Sequence, residues 1–169
     1  MDLTTSCHYL KLDEFELISF HGSDVLDYLQ GQTTQDISSI KIGYFKAAAR
    51  VDRAGRLKSF FYVLRKDSLF EILVPSIFCQ SLTSELSKFI VSEDVEISTP
   101  VKCDYVFYYG KPTKISSSSI RGCMYGLEGQ LIELSSAHEY LAPANIKEQR
   151  HLEFFFAQKE KYFSVQADE

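Results

Sequence analysis

Residues 27–36 read Asp-Tyr-Leu-Gln-Gly-Gln-Thr-Thr-Gln-Asp, a stretch in which several side chains could hold a small polar molecule. Gln30 and Gln32 each bring a donor and an acceptor, Thr34 a hydroxyl and Asp36 a carboxylate. Such a set can line a cleft for a polar heterocycle. The same groups also suit a structural task, because they follow a short helix and can satisfy its last carbonyls and cap the next turn. A second cluster is cationic: Asp52-Arg53-Ala54-Gly55-Arg56 sets two arginines around a glycine, and Arg50 stands just before it. Those cations could receive a carboxylate tail or a phosphate, and the stretch also reads as a solvated hairpin turn. A third feature is Cys123, between Gly122 and Gly126 and two residues from Arg121. The nearby cation makes it a candidate reactive thiol, whereas a lone Cys in a strand ordinarily packs as a small buried hydrophobe.

Other chemistry is not encoded locally. No carboxylate pair or Ser-His-Asp order can be argued from spacing, so no catalytic residue is assigned, and His21 reads as a turn residue. The four cysteines (Cys7, Cys79, Cys103, Cys123) make no CxxC pair and the histidines no HxxxH, so no metal site is expected. Reduced thiols in a cytoplasmic protein are the default reading.

The elements that must position these groups follow from periodicity. Residues 14–20 alternate as a strand. Ser23 or Asp24 can cap a helix whose Val25, Leu26 and Leu29 share a face, and Gly31 suits a left-handed C-terminal position. Residues 43–51, 56–65 and 69–74 read as a three-stranded antiparallel meander with turns at 52–55 and 66–68. Pro75 and Ser76 then start a helix with Phe78, Leu82, Leu86 and Phe89 on one stripe, and a short strand follows in 92–98. Strands are read in 104–110 and 123–134, a polar loop in 113–119 and a helix in 145–161. The fold class is α+β, a mostly antiparallel sheet with covering helices. One unit is expected over 1–98 and a second α+β part over 99–169. Its core should include Phe15, Leu17, Leu26, Leu29, Phe61, Val63, Ile72, Leu82, Leu86 and Phe89.

Composition agrees with a globular chain. Hydrophobic residues make up 45% of the 169, enough for a sizeable core. The net charge of -5 gives no support to direct nucleic-acid binding, which needs basic surface. No run of eighteen apolar residues occurs, and the N-terminus lacks a basic start followed by an apolar stretch. Neither a membrane span nor a secretory signal is expected.

Over residues 14–97 the sequence resembles the YgfZ-type folate-binding proteins, relatives of the glycine cleavage T-protein (aminomethyltransferase). The likeness rests on Gly22, Asp24, Leu29, Gln30, Gly31, Gln32, Thr34 and Asp36, then on Gly55 and Arg56 in the following turn. The resemblance implies a tetrahydrofolate-type cleft, with Gln30, Gln32, Thr34 and Asp36 on the pterin side and Arg50, Arg53 and Arg56 for the glutamate tail. It also implies a role with iron–sulfur assembly or client proteins, and so indirectly in tRNA modification. Two alternatives stand beside it: a non-catalytic interaction module, and a true aminomethyltransferase. The last is disfavoured, because Lys58 and Ser59 stand where the T-protein pattern has Asp-Asp. YgfZ-type proteins also carry a late Lys-Gly-Cys-Tyr-x-Gly-Gln-Glu motif. Arg121, Gly122, Cys123, Gly126 and Glu128 imitate it, but far too early in the chain, and residues 151–169 resemble the segment that normally precedes it. The expectation is therefore a fragment, or a member without the C-terminal part.

Overall fold

The computed structural model describes residues 7–110 and 119–137. The elements are β1 (Cys7–Lys11), β2 (Phe15–His21), α1 (Val25–Gln32), β3 (Tyr44–Val51), β4 (Leu57–Arg65), β5 (Phe70–Pro75), α2 (Ser76–Ser87), β6 (Glu96–Ile97), β7 (Val101–Lys102), β8 (Tyr105–Gly110), β9 (Ile120–Met124), β10 (Leu127–Glu133) and α3 (Leu134–Ala137). The polar loop read in 113–119 lies almost wholly outside the described residues, and the helix read in 145–161 lies entirely outside them. Strand β1 was not anticipated. Chain contacts separate Asp13–Cys103 from a second unit formed by the stretches on either side of it.

In the Asp13–Cys103 unit the meander β3–β4–β5 forms as expected, every rung antiparallel. Strand β2 extends it by pairing with β5, Phe15 opposite Pro75 and Phe20 opposite Phe70. The short β6 and β7 pair with β2 in turn. This is an α+β fold, a mostly antiparallel sheet with covering helices. Strand β4 is buried in an unbroken run from Phe61 to Leu64, the pattern of a strand covered on both faces rather than on one. Phe61 and Val63 of β4, Ile18 and Phe20 of β2, and Ile72 and Val74 of β5 share one core with Val25, Tyr28 and Leu29 of α1 and Cys79, Leu82 and Leu86 of α2. Ile37 and Ile40 join it from the loop after α1.

An eight-residue helix is marginal alone, so α1 depends on that core. Leu29 is fully buried in it. Leu29→Ala is expected to cost roughly 2–5 kcal/mol, the range for deleting a buried leucine side chain, read as a lower midpoint in chemical denaturation.

Four local expectations are corrected. Gly31 is not a left-handed terminator. The helix runs through it to Gln32 and ends at an extended Thr33, whose hydroxyl donates to the Leu29 carbonyl at 3.0 Å. That bond satisfies a terminal carbonyl that a left-handed glycine would otherwise help to satisfy. At the other end, Asp24 is the N-cap position but makes no side-chain cap bond, because its carboxylate is engaged elsewhere (below). Finally, α2 stops at Ser87, and Phe89 lies beyond the helical stripe and 48% exposed. Leu26, also assigned to the core, is partly buried and packs against it.

The second unit carries the sheet order β1–β8–β10–β9, all antiparallel. The hairpin of β9 and β10 turns at Tyr125 and Gly126, both at positive φ. Its core brings together Val106, Tyr108 and Ile132, with Tyr9 packed against them.

Candidate functional site

The polar stretch after α1 is folded back onto β3. The Gln30 Oε1 accepts from the backbone N–H groups of Ile37 and Ser38 at 2.8 and 3.2 Å. Thr34 imitates a strand partner: its N–H donates to the Ala49 carbonyl at 2.9 Å, and its Oγ1 accepts from the Ala49 N–H at 3.0 Å. Next to it, the Gln35 amide donates to the Ala47 carbonyl at 2.9 Å. Asp36 caps the turn beyond. Its Oδ1 accepts from the Ser38 hydroxyl at 2.6 Å and from the Ser39 N–H at 3.4 Å. Those hydrogen bonds, the Ser38 hydroxyl foremost, hold the carboxyl of Asp36 below its ordinary pKa.

Arg50 is the centre of a second cluster, and only 8% of it is exposed. Its Nη1 donates to the backbone carbonyl and the Oε1 of Gln32 at 3.2 and 2.8 Å. Its Nε pairs with Glu85 at 3.1 Å. The guanidinium lies 4.8 Å from the centroid of the Phe89 ring, within range of a cation–π contact. A buried cation must be paired, and here a carboxylate, an amide and a ring share it. Tyr28 lies close by: it donates to the Leu86 carbonyl at 2.7 Å, and burial pushes its pKa up to about 12 despite the charge of Arg50. Directly across the ladder from Arg50 stands Ser59. It is buried, and its hydroxyl has no hydrogen-bond partner among the described residues.

The turn at 52–56 is self-sufficient. Asp52 Oδ1 accepts from the N–H groups of Ala54 and Arg56 at 2.8 and 3.0 Å, and its Oδ2 accepts from Arg56 Nε at 2.7 Å. These bonds lower the pKa of Asp52. Because the folded-state value is depressed, the stabilisation is present above the ordinary carboxylate range and fades as pH falls through the lowered value. The side chain of Arg56 remains 77% exposed, and Arg53 is exposed in the same turn. Of the seven residues read as ligand-binding, the fold thus joins Gln32 to Arg50, ties Gln30, Thr34 and Asp36 into the loop, and leaves Arg53 and Arg56 at the surface.

Cys123 lies on β9, exposed rather than packed as a small hydrophobe, and opposite Glu128 of β10. The alternation of β9 explains this, since Ile120 and Met124 take the buried side and Arg121 and Cys123 the outer one. A different thiol sits in an open groove of about 500 Å³ lined by Glu16, Ser76, Cys79, Gln80, Thr83, Ser84 and Pro100. Burial and the adjacent Glu16 push the Cys79 thiol up to about 12, so it stays protonated and a poor nucleophile. Among the described residues no group of three His, Cys, Asp or Glu could hold a metal ion. No helix among them is long and apolar enough to cross a membrane.

The residues Gly22 and Asp24 have a task that local reading missed. Asp24 Oδ2 accepts from the Asp94 N–H at 2.8 Å. In return, Asp94 Oδ2 accepts from both the N–H and the hydroxyl of Ser23 at 2.9 Å. Gly22, at φ +126°, lies against the Asp94 carbonyl so closely that a Cβ would overlap it. The start of α1 is thereby clamped to the loop after α2.

The arrangement is that of the aminomethyltransferase T fold. The structure matches the crystal structure of glycine cleavage system aminomethyltransferase T from Bartonella henselae with a TM-score of 0.62, over 81% of this chain and 45% of that one. Sequence identity there is 12%, so the likeness is one of fold. In sequence the chain resembles the tRNA-modifying protein YgfZ. It is 31% identical to that of Colwellia psychrerythraea over 104 residues, covering 62% of this chain and 32% of the relative. It is 32% identical to that of Klebsiella pneumoniae over 89 residues, covering 53% of this chain and 27% of the relative. The chain thus spans about a third or less of the length of these curated relatives. No family model matches it.

Proposed function

We propose that the chain is a YgfZ-like folate-binding protein of the cytoplasm, with a part in assembling or repairing iron–sulfur proteins and so, indirectly, in tRNA modification. The observation that carries this reading is the sequence similarity to proteins named tRNA-modifying protein YgfZ, joined to a fold shared with an aminomethyltransferase T. In this reading Gln30, Gln32, Thr34 and Asp36 form one wall of a cleft for a reduced folate, Arg53 and Arg56 receive its carboxylates, and Arg50, buried and paired with Gln32 and Glu85, braces that wall. The hydrogen bonds of Gln30, Thr34 and Gln32 give them a supporting role in that wall: they hold the loop rather than the ligand. Arg53 and Arg56 are the groups with open access to a carboxylate. Cys123, exposed on β9, remains the candidate reactive thiol.

Calorimetric titration with tetrahydrofolate tests the proposal. Exposed arginines compete with water for every carboxylate bond, and each such hydrogen bond then contributes only about 0.5–1.5 kcal/mol. Binding is therefore expected in the micromolar to millimolar range, equivalent to roughly 4–8 kcal/mol, and Arg56→Ala should weaken it. Nanomolar binding would mean that the cleft is complete in this chain. No heat at millimolar ligand would reject folate binding and favour the second reading, a non-catalytic interaction module. That alternative is supported by one observation: Gln30, Gln32, Thr34 and Arg50 already spend donors and acceptors on the protein itself.

A further inference from the structure

We draw no further inference here: the strongest candidate, the open groove of about 500 Å³ beside β2 and α2, has Glu16 as its single charged lining residue, with Lys102 directly across the strand from it, and nothing among the described residues shows what would cover it.

Discussion

Gly22→Ala is expected to destabilise the Asp13–Cys103 unit severely, while Gly31→Ala, nine positions along the same segment, should stabilise it. The two glycines differ in backbone and in surroundings. Gly22 has φ +126°, and an added Cβ would overlap the backbone carbonyl of Asp94. A non-glycine residue held in such a region costs on the order of 1–3 kcal/mol before any collision is counted. Relieving the collision would mean moving Asp94, which is bonded to Ser23 and Asp24. A loss of about 3 kcal/mol or more is therefore expected, visible as a reduced denaturation midpoint or as insoluble protein. Gly31 is helical, and a Cβ there meets nothing within 4 Å. Replacing an unconstrained helical glycine by alanine gains about 0.5–1 kcal/mol. If Gly22→Ala unfolded at the wild-type midpoint, the clamp between α1 and the loop after α2 would be wrong. If Gly31→Ala were strongly destabilising, the helix would not run through that residue.

A reconstituted glycine-cleavage assay is expected to give no turnover above blank. The fold is shared with an aminomethyltransferase T, but fold does not carry chemistry. The T-protein pattern places carboxylates where this chain has Lys58 and Ser59. Lys58 points to solvent, and Ser59 is 2% exposed. A positioned acid or base typically contributes about 10²–10⁴ in rate, and neither residue can serve as a carboxylate. Ser59→Asp alone should not restore activity, because transfer also needs substrate and cofactor positioned to about an ångström. Product formation that required both tetrahydrofolate and the aminomethylated carrier would overturn this expectation.

The sequence by itself determined the main elements of the Asp13–Cys103 unit and the α+β class. Alternation in residues 14–20, the two apolar runs on either side of the 52–56 turn, and the spacing of Leu82 and Leu86 each report which face is buried. That information is local, since side-chain direction repeats every two residues in a strand and about every 3.6 in a helix. The 52–56 turn was legible for the same reason: Asp52 and Arg56 bond to one another across four residues. Only the tertiary structure decided what the polar groups hold. Asp24 meets Asp94 across 70 residues, and Arg50 meets Glu85 across 35. Gln30, in the last turn of α1, and Thr34 hold a loop whose path depends on Ile37 and Ile40 reaching the core. Phe89 likewise lies beyond the helical stripe, beside Arg50. A carboxylate or an amide can bond to almost any nearby donor, so its own sequence neighbourhood does not name its partner. The partner is set by strand register and loop path, which are fixed by burying apolar side chains from distant parts of the chain.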